Sequence, residues 1–111
     1  MKTVLITGAS SGIGRELAMV FAEKNYRPIL VARRKSMLDS VAEDIKASYF
    51  VDSFVIPLDL SLSDSAERLM DIIEKEELYI DVLVNNAGLG DFGEFHLENI
   101  NKIESMMTLN M

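Results

Sequence analysis

Thr7-Gly8-Ala9-Ser10-Ser11-Gly12-Ile13-Gly14 is the stretch that decides how this chain folds. An apolar run, Val4-Leu5-Ile6, stands before it, and apolar residues at helical spacing, Leu17, Val20 and Phe21 among them, follow it. A strand that turns through glycines into a helix delivers backbone N–H groups to the helix start, a favourable place for a phosphate. The spacing is G-x-x-x-G-x-G rather than G-x-G-x-x-G, yet each glycine can be given a role. Gly8 lets the chain leave the strand in a tight turn. Gly12 removes a Cβ where a pyrophosphate would approach, and Gly14 lets the helix pack closely on its strand. Ser10 and Ser11 add hydroxyls, with Ser11 the candidate N-cap.

Working outward, Val4-Leu5-Ile6, Ile29-Leu30-Val31, Phe54-Val55-Ile56 and Val82-Leu83-Val84 are short continuous apolar runs. Continuous runs suit strands covered on both faces, as in a parallel sheet. Helical stretches long enough for crossovers separate them. The first is expected from about Gly12 to Lys24. The second runs from about Ser36 to Ala47, opened by Ser36-x-x-Asp39. The third runs from about Ser63 to Glu76, with Ser61 or Ser63 as its cap. Pro28 would begin the second strand. Pro57 lies inside the third, which suits an edge strand. The expected architecture is an α/β, doubly wound parallel sheet of strand order 3-2-1-4, with ligand beyond the carboxyl ends of the strands.

With its Thr-Gly-x-x-x-Gly-x-Gly opening, the chain resembles the short-chain dehydrogenase/reductase family, classical type. That resemblance implies a Rossmann-type nucleotide-binding domain spanning residues 1–111 as a single partial unit. The glycine loop (Gly8, Ser10, Ser11, Gly12, Ile13, Gly14) would bind pyrophosphate and adenosine ribose. The second strand ends in Ala32-Arg33-Arg34, with no acid to bind a ribose 2′-hydroxyl and two arginines suited to a phosphate. NADP(H) is therefore expected over NAD(H), held by Arg33 with help from Arg34. After the third strand, Asp59 and Leu60 stand where the family borders the adenine. The fourth runs into Asn85-Asn86-Ala87-Gly88, and by resemblance Asn86, Ala87 and Gly88 border the nicotinamide ribose. The carboxamides there could also satisfy backbone groups exposed by the turn.

Leu89 to His96 reads as a loop at the margin of a substrate site, with His96 an exposed histidine. From about Glu98 the pattern reads as a helix, with Ile100, Ile103 and Met107 on one stripe that Asn110 continues. In the resembled family a helix-embedded Asn takes part in a proton relay, and Asn110 is the candidate catalytic residue on that ground.

Composition narrows the rest. The net charge of -7 disfavours nucleic acid or an anionic membrane as the main partner. With no cysteine, disulfides, thiolate metal sites and a cysteine nucleophile are excluded, and no metal site is expected. No apolar run is long enough for a membrane span, and the N-terminus does not read as a signal peptide, so a cytoplasmic location is expected.

The family's reaction moves a hydride between a nicotinamide and a carbonyl or alcohol, using a serine and a Tyr-x-x-x-Lys. Tyr26, Tyr49 and Tyr79 are followed four residues on by Leu30, Ser53 and Leu83, so none fits. All three precede Asn110, whereas the family's tyrosine follows it. The chain is thus expected to be the cofactor-binding part of a longer enzyme, inactive alone and homo-oligomeric (dimer or tetramer) when full-length. The fourth strand is expected to leave an open edge. The alternative is a non-catalytic nucleotide-binding or interaction module.

Overall fold

The computed structural model describes residues 1–10 and 12–86, and the backbone of 107–110. Its elements are β1 (Thr3–Thr7), α1 (Gly12–Glu23), β2 (Arg27–Ala32), α2 (Lys35–Tyr49), β3 (Phe54–Pro57), α3 (Ser65–Lys75), β4 (Val82–Asn85) and β5 (Met107–Asn110). They build one parallel sheet of order β3-β2-β1-β4-β5.

The continuous apolar runs are explained by the two layers of helix. Val4, Ile6 and Leu30 pack with Ala18 and Ala22 of α1 and Leu38, Val41 and Ile45 of α2. Their sequence neighbours Leu5, Ile29 and Val31 point the other way, onto Leu69, Met70 and Ile73 of α3. Alternate residues of one strand thus serve opposite cores, and none can be polar without facing one of them. Each such aliphatic side chain contributes about 1.5–3 kcal/mol by leaving water.

The prolines sit as the topology requires. Pro57 closes β3, which is the edge. Pro28 is the second residue of β2, not the first. Its missing N–H falls on the β3 side, because Arg27 before it bonds towards β1 through the Lys2 carbonyl. Pairing to β3 starts only at Ile29.

The starts of α2 and α3 differ from expectation by one or two residues, and the expected caps are not used. α2 begins at Lys35, and its N-cap residue Arg34 makes no side-chain cap bond. The Ser36-x-x-Asp39 pattern expected to cap the helix start lies inside it, and Asp39 pairs with Lys35 one turn earlier at 2.8 Å. α3 begins at Ser65 after Asp64, so neither Ser61 nor Ser63 is its cap.

The main correction concerns the last segment. Met107–Asn110 is a strand, not part of a helix, and lies parallel to β4 with Asn85 opposite Asn110. The expected open edge of β4 is therefore covered. Four residues with two apolar positions fit either period, and unpaired β4 groups favour a strand there. Ile100 and Ile103, which carried the helical pattern, lie outside the described residues, as do His96 and the start expected at Glu98.

Candidate functional site

The site grows from the point where β1 ends between its two neighbours. Thr7 is fully buried, and its hydroxyl accepts the Asn86 N–H at 2.8 Å. The same oxygen lies 3.3 Å from Asn85 Oδ1 and 3.4 Å from the Val84 carbonyl. The end of β4 is thereby tied to the end of β1. Gly8 follows at φ 63°, a conformation that L side chains resist.

Behind the loop there is no spare space. A Cβ on Gly14 would run into the Gly8 carbonyl and lie 2.7 Å from Asn86 Nδ2. Asn86 donates to the Gly8 carbonyl at 3.4 Å, as a carboxamide at a strand end was expected to do for an exposed turn. Gly14 thus lets α1 approach the loop backbone itself. In front, the situation is reversed. Gly12 has φ 59°, and a Cβ built there would meet nothing within 4 Å. The first turn of α1 opens onto solvent at Gly12 and Ile13, the latter 60% exposed.

Beside this open front lies a cleft of about 310 Å³. Gly8 and Ser10 line it from the loop after β1, Ala32 and Arg33 from the end of β2, and Leu58, Asp59, Leu60 and Ser61 from the segment after β3. Three consecutive carboxyl-end loops therefore share one cavity, as a doubly wound sheet predicts. Ala32 is buried and small, and Arg33 is exposed beside it. Arg34 is exposed at the start of α2 and does not line the cleft, so the structure separates the two arginines.

Asp59 is held by its neighbour. The Ser61 hydroxyl donates to Asp59 Oδ1 at 2.6 Å and the Ser61 N–H to the same oxygen at 3.0 Å. These two bonds, the hydroxyl's first, lower the Asp59 pKa below the ordinary carboxylate value, with a smaller contribution from the Arg33 guanidinium. Leu60 is buried, and its carbonyl accepts the hydroxyl of buried Ser65 at 3.1 Å. Ser61 is the site residue that sequence reasoning misplaced. Its D-x-S spacing to Asp59 signals a side-chain-bonded turn, a use that competes with helix capping.

Of the other expected residues, Asn86 stands behind the glycine loop, and the backbone of Asn110 lies at the same carboxyl end of the sheet, beside Asn85. Ser11, Ala87 and Gly88 lie outside the described residues. Among the described residues no group of side chains could hold a metal ion, and no helix is long and apolar enough to cross a membrane.

Known proteins resemble this chain in sequence and in fold. A family model described as short chain dehydrogenase matches residues 2–111. The NADP-dependent 3-hydroxy acid dehydrogenase of Schizosaccharomyces pombe is 40% identical over 99% of this chain and 43% of its own length. The very-long-chain 3-oxoacyl-CoA reductase of Scheffersomyces stipitis is 36% identical over 99% of this chain and 32% of its own. Among solved structures, an alcohol dehydrogenase from the archaeon Thermococcus sibiricus, complexed with 5-hydroxy-NADP, superposes with a TM-score of 0.73 at 33% identity. That match covers 93% of this chain and 45% of the other. The chain thus spans less than half the length of each of these proteins.

Proposed function

The chain belongs to the short-chain dehydrogenase family, and from that premise we propose that it is the cofactor-binding part of an NADP(H)-dependent oxidoreductase acting on a carbonyl or alcohol. The observation that carries this reading is the shared cleft. A cation, Arg33, stands beside a small buried residue, Ala32, next to a glycine loop whose front has room for a ligand. The names of the Schizosaccharomyces pombe relative and the Thermococcus sibiricus complex support the phosphorylated cofactor.

In this reading the N–H groups at the start of α1 face the pyrophosphate. Arg33 binds the 2′-phosphate through charge-assisted bonds. Arg34 adds only to the local positive potential, because it is outside the cleft. Asp59 and Leu60 border the adenine, and Asn86, Ala87 and Gly88 the nicotinamide ribose. When bound, the nicotinamide gives or takes a hydride. Asn110 ends β5 and is not embedded in a helix, so its assignment to the proton path rests on the family resemblance alone. None of Tyr26, Tyr49 and Tyr79 begins a Tyr-x-x-x-Lys, so the proton donor is not among these residues. The full enzyme's homo-oligomeric state and cytoplasmic location remain part of the proposal.

Calorimetric titration with NADPH and NADH tests the assignment. NADPH should bind more tightly, and Arg33→Ala should reduce that preference by about tenfold, the low end for bonds to a charged group because Arg33 is exposed. An unchanged preference in the variant removes Arg33 from the 2′-phosphate.

A further inference from the structure

Ser36 has no part in the function proposed above, and it stands directly after three cations, Arg33-Arg34-Lys35. No other serine or threonine of the chain has two cations among the three residues before it. Cations at these positions are the charge pattern by which a protein kinase with an acidic substrate groove selects a serine. The structure leaves the segment available for that use. Arg33, Arg34, Lys35 and Ser36 are all exposed, and among the described residues the Ser36 hydroxyl has no hydrogen-bond partner. Arg34 has extended backbone, with φ -104° and ψ 112°, so both arginines precede the helix. Ser36 is the second residue of α2, whose start has no side-chain cap and no acidic residue in its first turn. An uncapped first turn opens at low cost, which lets an enzyme take the serine in extended form.

We propose that Ser36 is a phosphorylation site that switches cofactor preference: its phosphate engages Arg33 and opposes the 2′-phosphate of NADP(H). The Ser36 oxygen attacks the γ-phosphorus of a nucleoside triphosphate held by the kinase. A new O–P bond forms, and the bond from that phosphorus to the β–γ bridging oxygen breaks. The nucleoside diphosphate leaves, and the hydroxyl proton passes to a base of the kinase. The product carries a charge of about -1.5 to -2 at pH 7. It stands three residues from Arg33, the cation that lines the cleft. The arginines and the helix start both favour an anion there. The new phosphate therefore competes for Arg33 with the ligand's own phosphate and also repels it. NADH carries a hydroxyl at that position and escapes both effects. The switch rests on the assignment of Arg33 to the 2′-phosphate and deepens it by adding a means of control.

The test treats the chain with ATP and the catalytic subunit of cyclic-AMP-dependent protein kinase, which takes arginines at these two positions. Peptide mass spectrometry should place a phosphate on Ser36, and Ser36→Ala should abolish it. NADPH and NADH are then titrated calorimetrically against treated and untreated chain. Phosphorylation should weaken NADPH by at least about tenfold and leave NADH within about twofold. Ser36→Glu, with less charge, should move the ratio in the same direction by a smaller factor. If the folded chain stays unmodified at Ser36 while a synthetic peptide of residues 31–42 is modified, the site is overturned. A phosphate on Ser36 that leaves the NADPH to NADH ratio unchanged, or that weakens both cofactors equally, overturns the switch while the cofactor assignment stands. Untreated chain that shows no preference for NADPH instead brings down the Arg33 assignment, and the switch with it.

Discussion

The two ends of the sheet both hold backbone in the left-handed region, and they fill it with different residues. At the carboxyl end of β1 the positions are Gly8 at φ 63° and Gly12 at φ 59°. At the opposite end, each helix turns towards the next strand through a residue with a side chain: Asn25 at φ 68°, Phe50 at φ 59° and Glu77 at φ 53°. Gly12 and Phe50 share the same φ, so that angle alone does not force a glycine on this chain. Nor does crowding at Gly12, where a Cβ would meet nothing within 4 Å. Gly14, two residues on, is the opposite case, closed off by backbone. Packing therefore accounts for Gly14, whereas at Gly12 it is the left-handed backbone that favours glycine, and the space in front of it is open.

Gly14→Ala should have the largest effect, because its Cβ meets the Gly8 backbone and not a flexible side chain. Overpacking of that kind costs about 3 kcal/mol, and urea denaturation should show a loss of that order. A loss below about 1 kcal/mol would mean that α1 slides away cheaply, contrary to the packing described. Gly12→Ala is the contrasting variant. It should cost only about 1–2 kcal/mol of stability, the left-handed penalty that Phe50 already carries, while lowering affinity for NADPH by at least about tenfold. Equal stability losses at the two glycines would break the distinction between them. Phe50→Gly probes the other end. Phe50 is 83% exposed, so removing its side chain forfeits little burial and relieves the backbone. A gain of about 1 kcal/mol with unchanged nucleotide affinity is expected.

The same contrast explains what could be read from residues alone. Two-sided burial writes Val4-Leu5-Ile6 and Ile29-Leu30-Val31 as unbroken apolar runs, so the strands and their parallel pairing were legible. Pro57 marked the edge because a proline away from the start of a strand is tolerated mainly in edge strands. The loop's glycines pointed to a phosphate by their spacing. The features that were not legible depend on partners distant in sequence or on competition between neighbours. β5 exists because β4 offers it a ladder, and nothing in Met107-Thr108-Leu109-Asn110 announces that. α2 begins at Lys35, one residue before Ser36, with Arg34 as an N-cap residue that makes no side-chain cap bond. Ser61 could equally have capped a helix or bonded Asp59, and only the observed turn decides between them. Arg33 and Arg34 look equivalent in the chain, but Arg33 lines the cleft while Arg34, the N-cap residue of α2, does not.

β3 extends the comparison, because a carboxylate stands at each of its ends and both are more acidic than usual for different reasons. Asp52, before the strand, is lowered chiefly by its hydrogen bond to Lys46, at 2.9 Å, and then by that cation's charge. Asp59, after it, is lowered chiefly by uncharged donors on Ser61. In both cases the folded pKa lies below the reference of 3.8. Whatever each carboxylate contributes is therefore complete above that reference and lost as the pH falls through the depressed folded value. Salt separates the two causes, since the screening length falls to about 3 Å at 1 M. Carboxyl-carbon NMR titrations at low salt and at 1 M should show the Asp52 midpoint rising towards its reference and the Asp59 midpoint nearly still. Equal movement of both would mean that Arg33, not Ser61, governs Asp59. The carboxyl end of β3 would then be organised by charge alone, like its other end, and not by a fixed hydrogen-bonded turn.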